Sequence, residues 1–316
     1  MQTKVYAARL KDKKELYSSS SGGVFSALTN LFLNHDYILS SVYNYDTQEL
    51  EYVIFNDIET RNRARGSKYF QSKIGNSFKE AIKLLKDNPE RKMLFVGMGC
   101  QADGFRKLCE LSGVRNRVYI VDIICTGNPS AKVWKTYISR FDNVSYISFK
   151  DKRNGWYHPT AIAVSNGREV GIESWLKIFY GHNADKPSCC ECPFASTDRK
   201  ADMTIGDFWR IEKSFPDFYD ENGNSVILIH TEKGFELFNL MKKELDYQES
   251  DLKACWQNRL YSPPERPVTR KAFWRDYQKN GIEYVIKKYS KMPLWGKILT
   301  KIKRGVKKVK SYGIDG

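Results

Sequence analysis

The chain has 316 residues, a formal net charge of +15 and seven cysteines. Hydrophobic residues make up 41% and aromatic residues 14% of it, which excludes a disordered chain, and the length allows a sizeable core. No apolar run approaches the roughly 20 residues that span a bilayer, and the N-terminus has no secretory h-region. We therefore expect a globular, cytoplasmic protein whose cysteines bind a metal or cluster rather than form disulfides.

The hydrophobic pattern predicts an α/β protein with some α+β elements. It predicts a helix over "GGVFSALTNLFL", strands at "YILSSVYNY" and "LEYVIF", a basic loop at "ETRNRARGSKYFQSK" and a helix over 74–86. Next, "KMLFVGMGCQADGFRKLCEL" and "RVYIVDIICTGNPSAKVWKTYI" each have the pattern of a strand, a turn and a helix. Two consecutive units of this kind predict neighbouring parallel strands in a mixed sheet.

The second half of the chain predicts shorter strands and a separate C-terminal region. Strands are expected at "VSYISFK", "TAIAVS", "MTIGDFW" and "VILIHT", and helices at "SWLKIFYG" and "KGFELFNLMKKEL". The Pro-rich segment "YSPPERPVTR" then separates the body from the tail. We predict a body over residues 1–260 and, over 261–316, a linker followed by basic amphipathic helices.

The tail carries most of the excess positive charge. Residues 287–310 contain ten Lys or Arg and no acidic residue. Apolar residues recur there at helical spacing: Trp295, Ile298, Leu299, Ile302, Val306 and Val309. This pattern is typical of a helix on an anionic membrane surface, and its apolar stripe favours lipid over nucleic acid. A surface helix packed on its own domain remains the alternative.

The cysteines predict a metal or cluster site. Cys189 and Cys192 have C-x-x-C spacing, with Cys190 between them, and supply half of a four-ligand site. Cys100 and Cys125 each follow a predicted strand and would complete it. The residues alone leave zinc, an iron–sulfur cluster and unligated thiols open. Two other cysteines are expected to be small buried side chains: Cys109 and Cys255.

Two polar segments could hold phosphate. Serine hydroxyls and backbone N–H groups at a helix start bind anions, which fits "SSSSGG" before the first predicted helix, and "ARGSKY" adds positive charge. Helix caps and turns are the commoner use of such residues. Asp207, followed by Phe208 and Trp209, could border a flavin ring or cap a turn. Because the sequence shows no pattern of a Ser-His-Asp triad, it gives little support for a hydrolase.

Eight blocks in order resemble the coenzyme F420 hydrogenase/dehydrogenase beta-subunit family. They are "SSSGGVFSAL", "RGSKYFQS", "GMGCQADGFRKL", "VDIICTGNPS", "FKDKRNGW", "PSCCECPF", "MTIGDFWRIEK" and "SVILIHTEKG". The resemblance implies an oxidoreductase that contains FAD and a [4Fe-4S] cluster. Electrons would pass between the cluster and the flavin, and hydride between the flavin and an organic acceptor, which is a deazaflavin in the founding members.

The resemblance also implies which residues bind these cofactors. The cluster ligands would be Cys100, Cys125, Cys189 and Cys192. The residues in contact with FAD would be Ser20, Ser21, Gly22, Gly23, Arg65, Gly66, Ser67, Lys68 and Tyr69. A cation such as Lys68 or Arg65 would favour the anionic reduced flavin.

The chain departs from the family pattern at positions that concern its substrate and its electron donor. The usual "GTPCQ" is "GMGCQ" here and a frequent His is Thr126, so we expect a different substrate pocket. Residues 1–18 lack the clustered cysteines of a ferredoxin-like segment, so we expect a separate ferredoxin-like electron donor. Short relatives occur among bacterial polysaccharide genes, which implies a glycan acceptor and a location on the inner face of the plasma membrane.

The rival hypothesis is a non-catalytic protein. In it the cysteines hold structural zinc, and the basic tail docks the protein to a membrane or to partner enzymes.

Overall fold

The computed structural model describes residues 2–290. Its strands are β1 (Lys4–Leu10), β2 (Tyr37–Asn44), β3 (Glu49–Phe55), β4 (Ser72–Lys73), β5 (Met93–Met98), β6 (Val118–Ile123), β7 (Val144–Asp151), β8 (Thr160–Ser165), β9 (Arg168–Gly171), β10 (Met203–Asp207), β11 (Ser225–Ile229) and β12 (Leu245–Ser250). Its α-helices are α1 (Lys13–Ser18), α2 (Val24–Asn30), α3 (Ile58–Ala64), α4 (Ser77–Asp87), α5 (Gly99–Leu111), α6 (Ala131–Ile138), α7 (Glu173–Tyr180), α8 (Ile211–Ser214), α9 (Glu232–Met241) and α10 (Arg270–Tyr289). Its 3-10 helices are Arg115–Arg117, Pro187–Glu191, Pro216–Phe218, Lys242–Glu244 and Asn258–Leu260.

The strands form one large mixed sheet and one small antiparallel sheet. The order in the large sheet is β12-β1-β11-β10-β6-β5-β2-β3-β4, and the small sheet has the order β7-β8-β9. The pairs β5–β6, β6–β10 and β2–β5 are parallel. The pairs β10–β11, β1–β11 and β2–β3 are antiparallel. The predicted α/β class with a mixed sheet is confirmed.

Helices cover both faces of the large sheet. In β5, Met93 and Phe95 pack into a cluster with α4 and α5, whereas Leu94 and Val96 pack into a cluster with α2 and α9. Alternate residues of a strand point to opposite faces, so a strand buried on both sides needs an unbroken apolar run. This explains why "MLFV" is apolar at every position.

The small sheet packs against α6, α7 and α10. Its core contains large aromatic residues: Trp134, Phe149, Trp175 and Phe273. Helix α10, which is interrupted at Gly281, contributes to this core and therefore packs against the body. The division at residue 260 stays a prediction, and the basic stretch expected to bind a membrane lies almost wholly outside the described residues.

One prediction of local structure was wrong, and one strand was not predicted. Part of the expected basic loop forms α3, because the Asp57 side chain caps it by accepting a hydrogen bond from the Thr60 N–H at 2.7 Å. The segment before the first predicted helix contains β1, which pairs with β11 and β12. Among the helices within residues 2–290, none is both long and apolar enough to span a membrane.

Asp202 connects β10 to its surroundings. Its carboxylate is 1% exposed, and it accepts hydrogen bonds from an Arg115 guanidinium N–H, the Ile120 backbone N–H and the Thr231 hydroxyl, each at 2.8 Å. The structure shows that Asp202 fixes the start of β10 against β6 and α9.

We predict that Asp202→Ala lowers the free energy of unfolding by about 3 kcal/mol, because it leaves a partly buried Arg115 without its counter-ion. Urea unfolding followed by circular dichroism measures this change. Asp198→Ala is the matched control, since that carboxylate is 80% exposed and pairs with Lys200, and we expect a change within about 0.5 kcal/mol. Equal effects of the two substitutions would contradict the assignment.

Candidate functional site

The carboxyl ends of three parallel strands lie side by side. In the register, Met98 at the end of β5 pairs with Ile123 at the end of β6, and Ile205 of β10 pairs with the same Ile123. Cys100 is the second residue of α5, immediately after β5, and Cys125 follows β6 by two residues. Both cysteines, and Asp207 at the end of β10, therefore lie at one edge of the sheet.

Backbone pairing brings the cysteine-rich segment to this edge. Pro129, in the loop after β6, pairs with Asp185 in an isolated antiparallel bridge. The Ser130 N–H donates to the Ala184 carbonyl at 2.9 Å, and the Lys186 N–H donates to the Asn128 carbonyl at 3.1 Å. Cys189 lies in the 3-10 helix that follows, and Cys192 ends it. The bridge thus holds this segment beside the Cys125 loop.

The start of α5 contacts the residues just beyond Cys192. A Cβ atom on Gly99 would stand 3.0 Å from the Phe194 Cβ atom and 3.1 Å from an Asp122 carboxylate oxygen, so the close approach favours glycine. The buried Arg199 guanidinium donates to the Asp122 carboxylate at 2.9 Å and anchors the same segment to β6. Three distant stretches of the chain are therefore held together.

The four cysteines predicted as ligands are electrostatic neighbours. Burial raises the pKa of the Cys125 thiol to about 12, and the other three thiols add to the increase. Burial raises the pKa of Cys189 to about 11, helped by Asp185, Cys192 and Cys100. Burial also raises the pKa of Cys100, with Cys192 next in effect. Each of the four sulfurs thus interacts with the other three. Without a positive ion, the thiols whose pKa is raised stay protonated at neutral pH.

The remaining cysteines are placed differently. Cys190 is not among the strongest electrostatic neighbours of Cys100, Cys125 or Cys189 in the part of the chain that the structure describes. Cys109 is buried in the cluster between α4, α5 and the sheet, and Cys255 is buried against β1 and β11. Both have the buried environment expected from the sequence.

The cysteine group does not have the geometry of a single-ion site. Within residues 2–290, no three His, Cys, Asp or Glu side chains are close enough together to hold one metal ion. A four-iron cluster has a different requirement, because each thiolate binds a different iron atom and the sulfurs therefore stand farther apart. The donor set of four thiols is the one that such a cluster uses.

A cavity of about 410 Å³ opens beside Cys125. It lies at the carboxyl ends of β5, β6 and β10 and is closed on the other side by the serine segment and by residues 64–70. Nine of the ten residues predicted to contact FAD line it: Ser20, Ser21, Gly23, Arg65, Gly66, Ser67, Lys68, Tyr69 and Asp207. A volume of several hundred Å³ is typical of a cofactor pocket. We call it the first cavity.

The tenth residue, Gly22, lies outside this lining. Its carbonyl accepts a hydrogen bond from the Leu10 N–H at 2.8 Å, and a Cβ atom there would collide with the Ala8 carbonyl and the Ser225 N–H. The absence of a side chain therefore allows the chain to pass closely between β1 and β11. The family resemblance had implied that this glycine contacts FAD.

The four serines mainly fix the loop. The Ser18, Ser19 and Ser21 hydroxyls donate to backbone carbonyls at 2.7–2.9 Å. The Ser20 hydroxyl oxygen instead accepts a hydrogen bond from the Ser67 N–H at 2.6 Å. This contact joins the two segments that the sequence predicted as phosphate sites, which lie 47 residues apart.

The cationic side chains near the first cavity interact with carbonyl and carboxylate groups of the protein. The Lys68 ammonium donates to the carbonyls of Ala64 at 2.6 Å and Gly66 at 3.1 Å, and burial lowers its pKa to about 7. The Arg65 guanidinium lies 3.5 Å from the Glu15 carboxylate. Neither residue is paired with a carboxylate inside the cavity.

Asp207 forms the main ion pair of the site. Both its carboxylate oxygens accept hydrogen bonds from the Lys150 ammonium, at 2.8 and 2.9 Å, and the Trp156 indole N–H donates to one of them at 3.0 Å. The Lys150 nitrogen lies 5.1 Å from the centre of the Trp209 ring. The carboxylate is therefore fixed by these partners rather than by a turn that it caps.

Aromatic rings form another side of the cavity. Tyr69 stacks on Phe179 with 4.4 Å between ring centroids, and Tyr180 lines the cavity beside them. The Tyr52 hydroxyl donates to the Gln101 side-chain oxygen at 2.8 Å at the far end. Phe179, Tyr180 and Gln101 were missed from the sequence, because they come from elements that meet only in the folded chain.

A second cavity, of about 710 Å³, adjoins the first. Both cavities are lined by the same six residues, which we call the shared wall: Ser19, Ser20, Arg65, Gly66, Ser67 and Lys68. The Ser67–Ser20 hydrogen bond lies within this wall. The remaining lining of the second cavity comes mainly from α3, the end of β2 and β7.

Lys152 is a buried cation that lines the second cavity. Its ammonium donates to the carbonyls of Leu16 at 2.7 Å, Ser21 at 3.4 Å and Asn222. Burial, followed by the positive charge of Lys150, lowers its pKa to about 7. The sequence contains this lysine in the block "FKDKRNGW" but gave no sign of its role.

The fold and the site define a class: an α/β protein with a ligand cavity and grouped cysteines at the carboxyl ends of its parallel strands. The family model for the C-terminus of the coenzyme F420 hydrogenase/dehydrogenase beta subunit matches residues 90–254, just over half of the chain. The chain therefore belongs to this family of oxidoreductase subunits, and the resemblance found in its motifs is confirmed.

A solved structure has a similar fold. A chain of the xenon-derivatised F420-reducing [NiFe] hydrogenase complex from Methanosarcina barkeri is 19% identical to this chain, with a TM-score of 0.52. The match covers 90% of this chain and 89% of that one. At this identity the similarity establishes the fold alone. Among curated proteins, none matches the chain.

The environment of Lys152 predicts a pH dependence of stability. Its pKa is about 7 in the folded protein and about 10.4 in an unfolded chain. The unfolded chain therefore binds more protons between these values, and Lys152 makes the free energy of unfolding rise with pH from 7 towards 10. We predict that Lys152→Met reduces this rise, measured by urea unfolding at pH 7, 8 and 9.

Lys200→Met is the control for this experiment, because that lysine is exposed and pairs with an exposed Asp198. The control should keep the slope of the unmodified protein. An unchanged slope in Lys152→Met would show that the buried ammonium does not titrate in this range.

Proposed function

We propose that this protein is an FAD- and [4Fe-4S]-dependent oxidoreductase. The observation that carries the proposal is the grouping of Cys100, Cys125, Cys189 and Cys192 beside a cavity that Cys125 itself lines. When bound, the cluster supplies one-electron transfer and the flavin supplies exchange of hydride with an organic acceptor. The fold would hold the two groups side by side.

The cysteine residues fit a cluster in number and in chemistry. Four thiols from three stretches interact electrostatically. Each stretch is fixed by its own anchor: the start of α5, the Pro129–Asp185 bridge and the Arg199–Asp122 ion pair. Such anchoring holds the ligands in place before the cluster binds, which lowers the cost of ordering them.

The lining of the first cavity supports the flavin part of the proposal. Tyr69 and Phe179 offer an apolar side for a planar ring, and the shared wall offers hydroxyls, N–H groups and positive charge for a diphosphate. The Lys150–Asp207 ion pair would orient polar atoms of the ring by charge-assisted hydrogen bonds. These residues would bind and orient the flavin.

The partners follow from the same proposal. The hydrogenase chain of similar fold belongs to a multi-subunit complex, which supports a partner protein as electron donor, and we propose a separate ferredoxin-like protein. The acceptor would be a deazaflavin or a glycan intermediate. A glycan intermediate would agree with a cytoplasmic position against the inner face of the plasma membrane.

Cofactor content after anaerobic purification tests the proposal. We predict about four iron atoms, equimolar sulfide and about one FAD per chain. Cys189→Ser and Cys192→Ser should each lose most of the iron, because a serine replaces a thiolate ligand. Cys190→Ser is the matched control within the same 3-10 helix and should retain iron, as measured by metal analysis and the visible spectrum.

Other results would decide against the proposal. Colourless protein with stoichiometric zinc would favour the structural-metal hypothesis, in which loss of the metal unfolds the chain. Equal iron loss in Cys190→Ser would show that the ligand set is different.

A further inference from the structure

The second cavity is lined by an unusual excess of positive charge. Its cationic side chains are Arg63, Arg65, Lys68, Lys150 and Lys152, and the carboxylates that line it are Glu59 and Asp151. Asp151 is bound by the Arg153 guanidinium at 2.9 and 3.1 Å, so it does not offset the charge. Counting the lining side chains alone, five basic groups face two carboxyl groups.

Three of these cations have no carboxylate partner within residues 2–290. Lys150 pairs with Asp207, and Arg65 lies beside Glu15. Arg63, Lys68 and Lys152 form no ion pair in the described part of the chain. Lys68 and Lys152 instead donate to backbone carbonyls, which satisfies hydrogen bonds but does not neutralise charge.

Buried or half-buried cations without counter-ions are costly, because the interior solvates them poorly. An anion between them would relieve this cost, and a group with two or more negative charges would do so better than a single carboxylate. Arginine and lysine together around one cavity are typical of phosphate recognition.

The size of the cavity indicates that the anion is part of a larger molecule. A volume of about 710 Å³ far exceeds one phosphate group. Tyr17 and Tyr146, which also line the cavity, are 53% and 50% exposed, so their rings are available for contact. Ring faces of this kind pack against the flat or apolar parts of organic ligands.

We propose that the second cavity binds the phosphate or diphosphate of an organic ligand through the positive charges of Arg63, Lys68 and Lys152. Two sources could supply this group. One is a phosphorylated molecule that binds independently of the flavin. The other is the diphosphate of FAD itself, and this second source rests on the proposed function.

Isothermal titration calorimetry with inorganic pyrophosphate tests the proposal on the full-length chain, as purified and after removal of any bound flavin. We expect saturable binding, and much weaker binding of the monoanion acetate. Binding to both forms would identify a separate phosphorylated ligand, whereas binding only after flavin removal would identify FAD as the occupant. Binding to neither form, or equal binding of acetate, would overturn the proposal.

Arg63→Gln locates the binding site. Arg63 is exposed on α3, and its clearest contact is a 3.4 Å hydrogen bond to the Tyr43 carbonyl, so the fold should tolerate the change. We expect about tenfold weaker pyrophosphate binding, the effect of losing one charge-assisted hydrogen bond. Arg168→Gln, an exposed arginine on β9, is the control and should bind normally.

Unchanged binding in Arg63→Gln would place the anion elsewhere and overturn the assignment. Calorimetry measures pyrophosphate binding separately from the iron and flavin content of the protein. A protein that lacks both cofactors but binds pyrophosphate would therefore refute the proposed function and leave this inference intact.

Discussion

The parallel alignment of β5, β6 and β10 is the constraint on which the site depends. Because these strands run in the same direction and in close register, their carboxyl ends meet at one edge. Cys100 and Cys125 follow β5 and β6 at this edge, and Asp207 is the last residue of β10. A parallel sheet buried by helices on both faces is rigid, so these positions are fixed before any ligand binds.

A second constraint acts on the loops that close the site. Buried cations are expensive, yet Lys68, Lys150 and Lys152 are all placed around the shared wall. Lys150 is stabilised by Asp207. Lys68 is stabilised by carbonyl dipoles of its own segment, whereas Lys152 is stabilised by carbonyl dipoles that come from distant parts of the chain. Such an arrangement costs stability in the absence of an anion, which is the pattern expected of a binding site rather than of a core.

The sequence predicted those features that depend on local pattern. The apolar runs "MLFV" and "VYIV" indicated buried strands, and each is followed by a cysteine, so the position of Cys100 and Cys125 at one edge could be expected. The strand β1 was not predicted, because its apolar run "VYAA" contains two alanines, which have low β-propensity, and its partners in β11 and β12 lie more than 200 residues away. The helix α3 was missed because its residues are polar, although Asp57 three residues before Thr60 is a recognisable capping signal.

The roles of the charged residues could not be read from the sequence, for a physical reason. The position of the Lys152 ammonium depends on the carbonyls of residues 16, 21 and 222, which are distant in sequence. The uncharged Gly22 is similar, because it is required by the close approach of β1 and β11. Neither role leaves a local sequence pattern. The two serine- and glycine-rich segments were each weak signals of phosphate binding. Their meeting through the Ser67–Ser20 hydrogen bond makes them one wall between two cavities, and a ligand on either side of that wall would contact the same six residues.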